Sequence, residues 1–70
     1  MNYIININRD DEADVWYAIC DDIPLALEHP SFDILIKKIK DAAYDVLDSN
    51  NNLTENTNLI INATHKTRIA

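Results

Sequence analysis

The chain contains no glycine. Two-residue hairpins of types I′ and II′ draw on glycine for positive φ, so strand connections here are expected to be longer. Glycine-rich loops that cradle phosphate are excluded with them. Cysteine is nearly absent too: Cys20 stands alone, so no internal disulfide can form and a reducing compartment is expected. No long apolar run is present, and the opening MNYIININRDD has no basic leader, which argues against a membrane span and a signal peptide. The expected location is the cytoplasm.

What remains is 70 residues with 47% hydrophobic content, enough for one small globular domain over 1–70 and no second one. A chain of this size buries only about 60% of its unfolded surface, so a partner or a homodimer would add useful buried area. The net charge of −6 is unevenly placed. Residues 1–35 carry eight acids against Arg9 alone, net −7, whereas residues 36–70 carry four acids and five bases, net +1. An acidic half repels phosphate backbones and attracts basic partners; the plainer reading is a solvated surface that keeps the protein soluble.

Periodicity gives the elements. Residues 2–8 place Tyr3, Ile5 and Ile7 on one side and Asn2, Asn6 and Asn8 on the other, the period of a strand with one wet face. Residues 9–14 form a charged connection. Residues 15–20, VWYAIC, are apolar throughout and predict a central strand covered at least in part on both faces. Small Ala18 lets a helix approach, so Trp16, Ala18 and Cys20 are expected inward, with Tyr17 and Ile19 outward. Residues 25–28 suit a third strand, with Pro24 at its start because proline cannot donate to a ladder. Ser31 is a good N-cap, with Asp33 in the first turn behind it. Phe32, Leu35, Ile36, Ile39, Ala42, Ala43, Val46 and Leu47 then make one apolar helical stripe, and Lys37 is one turn from Asp41 for a weak ion pair. An asparagine-rich loop at 49–57 is the expected flexible spot. Leu59, Ile61 and Ala63, alternating with Ile60, Asn62 and Thr64, read as a last strand, and His65–Ala70 as its extension or a frayed tail. The order is β-β-β-α-β: an α+β fold, a mostly antiparallel sheet with one helix on one face.

Chemistry is sparse. Asp10, Asp11, Glu12, Asp14, Asp21 and Asp22 supply oxygens for a hard cation, but consecutive acids do not by themselves give the converging geometry, and the EF-hand spacing with its glycine is missing. Cys20 with His29 or His65 would need an orienting third group and an oxyanion hole to act as a nucleophile, and a cysteine in an apolar strand is usually a small buried hydrophobe. No catalytic site, metal or cofactor is expected, and the chain is not expected to be an enzyme.

The stretch DDEADVWYAICDDIPLALEHPSFDILIKKIKDAAYDVLDSN resembles the short branch of the HicB-like antitoxin superfamily. The matching features run in order. An acidic turn precedes Val15-Trp16-Tyr17-Ala18; Asp21-Asp22-Ile23-Pro24 and Leu25-Ala26-Leu27-Glu28 follow; Ser31-Phe32-Asp33 open a helix that ends near Leu47. The resemblance covers about residues 3–50 and implies a β-β-β-α-β domain reduced from the ribonuclease H fold, without its chemistry. It also implies direct neutralisation of a small basic ribonuclease toxin of HicA type. The family's Pro-Gly is Pro24-Leu25 here, and residues 51–70 are too few for its C-terminal DNA-binding module, so no duplex DNA binding is expected. On this reading Asp21, Asp22 and Glu28 form the recognition edge and Tyr17 the aromatic anchor. The alternative is a stand-alone binding or dimerisation domain with no toxin partner.

Overall fold

The computed structural model describes residues 1–64, so the expectations for His65 and the tail fall outside the described residues. Four strands and a helix follow the expected order: β1 (Asn2–Asp10), β2 (Val15–Cys20), β3 (Leu25–His29), α1 (Phe32–Ser49) and β4 (Asn58–Thr64). They form one sheet in the order β3-β2-β1-β4, antiparallel at its first two junctions and parallel between β1 and β4. The helical crossover carries the chain from one edge of the sheet to the other.

Strand β1 runs two residues past its expected end because Arg9 and Asp10 pair with Trp16 and Val15. The hairpin then has to turn without glycine. Asp10 Oδ1 accepts from the backbone N–H groups of Glu12 (3.1 Å) and Ala13 (3.2 Å). Asp14 takes the left-handed conformation at φ 57°, which a short polar side chain tolerates better than most. The β2–β3 connection closes around Pro24, with the Leu25 N–H donating to the Ile23 carbonyl at 2.8 Å. That i→i+2 bond is a γ-turn, and the fixed φ of proline suits its central position.

Helix α1 starts as the sequence predicts. The Ser31 hydroxyl accepts from the Ile34 N–H at 3.4 Å, and Asp33 lies in the first turn. Its end is also built without glycine. Asn51 sits at φ 60°, its N–H donates to the Asp48 carbonyl, and Asn52 N–H reaches back to the Leu47 carbonyl at 2.8 Å. These two bonds are a Schellman motif with asparagine in the place glycine usually takes. The following loop is tied by its own bonds: Thr57 Oγ1 accepts from Thr54 N–H at 2.9 Å, and the Met1 ammonium donates to the Asn56 carbonyl at 3.0 Å.

Leu35, Ile39, Ala43 and Leu47, four residues apart, are buried against Tyr3, Ile5, Ile7, Ala18, Cys20 and Leu25. Ile23 of the β2–β3 turn tucks into the same core. At the hairpin end, Trp16 meets Phe32 edge-on, and the Arg9 guanidinium lies over the Trp16 ring, 5.4 Å from its centroid. The expected Lys37–Asp41 ion pair does not form; among the described residues, Arg9 pairs with Asp11 and Asp14. Exposed lysines gain little from a single-turn pair, so solvation wins there.

One expectation is corrected. The uniformly apolar β2 is central, but only its inner face is covered. Tyr17 is 37% exposed and Ile19 43% exposed on the outer face. Burial on both faces needs a second layer, and the single helix lies on the other side.

Candidate docking face

The outer face of the sheet is built by strand alternation. Trp16, Ala18 and Cys20 point toward the helix, so Tyr17 and Ile19 must point away. Register supplies their neighbours. Tyr17 stands opposite Glu28 on β3 and Asn8 on β1; Ile19 stands opposite Ala26 and Asn6. Tyr17, Ile19, Ala26 and Glu28, with Arg9, Asp10, Asp11 and Glu12 of the β1–β2 hairpin, line a broad open depression of about 830 Å³. Its floor is Tyr17, Ile19 and Ala26, and its rim includes Asp10, Asp11, Glu12 and Glu28.

Of the four residues assigned to recognition from the sequence, the fold brings Tyr17 and Glu28 together as cross-strand partners. Asp21 and Asp22 lie exposed in the β2–β3 turn, at the far end of β2. Four residues of strand separate Tyr17 from Asp21, about 13 Å of rise. Besides Glu28, the acids that share the depression with Tyr17 are those of the hairpin, Asp10, Asp11 and Glu12. From the sequence they stand as a cation candidate and as part of the acidic half, outside the recognition edge, because the strand register that folds the hairpin back beside Tyr17 is not visible in one dimension.

Toward β4 the same face changes character. Ile4 pairs with Ile60, and two amide ladders flank them: Asn58 Nδ2 donates to Asn2 Oδ1, and Asn62 Nδ2 to Asn6 Oδ1, each at 3.3 Å. The alternating asparagines of β1 and β4 meet only through this pairing. In this parallel register each asparagine stands beside another, and a side-chain amide that both donates and accepts can bond its neighbour.

Three of the four hairpin acids are already engaged. Asp10 accepts two backbone N–H groups, while Asp11 and Asp14 hold Arg9. Among the described residues no group of three or more His, Cys, Asp or Glu side chains is placed to hold a metal ion. Cys20 is buried at one end of the β2–β3 pair, opposite Leu25, and His29 lies at the other, opposite Trp16. The His29 Nδ1 accepts from the Ser31 N–H at 2.9 Å, in service of the helix start. The two side chains form no dyad. Among the described residues no helix is long and apolar enough to cross a membrane.

A family model described as a domain of unknown function, DUF1902, matches residues 2–70. The chain belongs to this family. A DUF1902 assignment carries no activity with it. The fold is similar to the crystal structure of a hypothetical protein from the extremely thermophilic bacterium Thermus thermophilus, with a TM-score of 0.80 and 28% identity. That match covers 99% of this chain and 100% of the other. No curated protein matches the chain.

Proposed function

We propose that this DUF1902 chain is a protein-binding domain of antitoxin type, which docks a small basic protein on its open sheet face. The observation that carries the reading is the pairing of exposed Tyr17 with Glu28 on an uncovered face beside the acidic hairpin. Tyrosine brings a large rigid contact area with a polar tip, the kind of side chain that anchors interfaces. The surrounding carboxylates accelerate encounter with a basic partner and reject an acidic one. The resemblance to HicB-like antitoxins names the partner class: a ribonuclease toxin of HicA type, silenced when its RNA-binding surface is covered. The domain performs no catalysis in this reading and acts in the cytoplasm alongside its target.

The test is to co-express the chain with the small basic product of the adjacent reading frame, purify by a tag on either protein, and assay RNA cleavage. Co-purification with loss of cleavage is the expected result. A basic neighbour that cleaves RNA equally well with the chain in excess would overturn the toxin reading.

A further inference from the structure

We propose that β4 is the seam of a symmetric dimer, in which Asn58–Thr64 of one copy pairs antiparallel with the same strand of a second copy. This inference stands on the sheet edge and does not depend on the toxin reading.

Strand β4 pairs with β1 on one side. Among the described residues its other side has no strand neighbour, so a row of backbone donors and acceptors faces outward. Natural edges of this kind are blunted by charge, proline or a bulge. The opposite edge follows that rule: β3 is preceded by Pro24 and carries Glu28. The sequence of β4, NLIINAT, has neither charge nor proline. Apolar side chains also flank it on both faces, with Ile60 45% exposed outside and Ile61 36% exposed inside. Beside the inner face a groove between α1 and β4 is lined by Ile36, Tyr44, Leu47, Leu53, Leu59 and Ile61.

The occupant that fits is another copy. An uncharged edge offers a basic partner nothing to recognise, whereas it is where two chains of net charge −6 can approach without repulsion. Direction follows from the register. Thr64 pairs with Asn8, so the acidic hairpin at residues 11–14 lies beyond the Thr64 end of β4. Antiparallel pairing sends the two hairpins to opposite ends of the dimer, and parallel pairing would set them side by side. A two-fold axis at Ile61, the middle residue, puts Ile61 against its mate and Leu59 against the mate's Ala63. Both inner faces then continue across the seam, an isologous contact that closes after two copies. Seven residues of strand give an edge about 23 Å long. Dimers of ordinary stability bury about 800 Å² per copy, which a strand edge alone does not reach; Tyr44, 57% exposed on the neighbouring helix, widens the contact.

Sedimentation equilibrium of the full chain alone, over a wide concentration series, tests the seam. The expected mass is twice the 8.0 kDa of the chain. Ile61→Lys sets an ammonium on the axis and should return the mass to one chain, with circular dichroism confirming the fold. Ile60→Lys, on the other face of the strand, should do the same and serves if Ile61→Lys does not fold. Tyr17→Lys, away from the seam, should remain dimeric. The proposal fails if the wild type is monomeric throughout, if folded lysine variants in β4 stay dimeric, if Tyr17→Lys dissociates the dimer, or if assemblies larger than two form. Because no partner protein is added, failure of the toxin reading would leave this result untouched.

Discussion

The Phe32 ring meets Trp16 edge-on, with centroids 5.1 Å apart and planes at 74°. Phe32 is the first residue of the helix and Trp16 the second of β2, so one aromatic contact fixes where the helix lands on the sheet. Removing either ring should cost about 2 kcal/mol or more in urea unfolding, since each is partly buried. A double-mutant cycle of Trp16→Ala and Phe32→Ala should give a coupling of about 0.5–1.5 kcal/mol. Strict additivity would mean that the two rings do not support one another.

Leu35 and Ile39 are fully buried on the helix face that meets the sheet. Leu35→Ala and Ile39→Ala should each destabilise by about 2–5 kcal/mol, while Lys38→Ala, exposed on the far side, should change little. Chemical denaturation of the three variants decides it; equal small losses at all three sites would be incompatible with this packing.

Asn51 holds the left-handed position that closes the helix. Asn51→Gly should stabilise the domain by about 0.5–1 kcal/mol, and Asn51→Ala should destabilise it by about 1 kcal/mol, because a β-carbon without a compensating polar group is costly there. Thermal unfolding of both variants should move in opposite directions. The same direction for both would place the helix end elsewhere.

On the docking face, the geometry ranks the acids. Glu12→Gln with Glu28→Gln should slow association with the basic partner and flatten its salt dependence. Asp21→Asn with Asp22→Asn, at the remote turn, should do so less. Tyr17→Ala should act mainly on dissociation, by about 2 kcal/mol if it is a hot spot. Binding kinetics at two salt concentrations separate these effects. A larger loss from the turn pair than from the hairpin pair would move the interface to the other end of β2.

Local sequence determined the elements. Alternation at Tyr3, Ile5 and Ile7, the Ser31 cap and the four-residue spacing from Leu35 to Leu47 each specify one element through neighbours a few positions away, and each is found where the pattern puts it. The inward set Trp16, Ala18 and Cys20 was legible for the same reason, since a strand's period of two leaves only two choices and Ala18 selects between them. Tertiary structure alone decided the rest. The parallel pairing of β4 with β1 joins residues 56 positions apart, so the asparagine ladders and the unguarded outer edge arise only after the crossover is made. The apolar run of β2 suggested cover on both faces, yet cover depends on how many layers the whole chain can build, and one helix builds only one. The company Tyr17 keeps was likewise a matter of register: hydrogen bonding across the hairpin and the β2–β3 pair placed Glu28 and the hairpin acids beside it and left Asp21 and Asp22 at the other end.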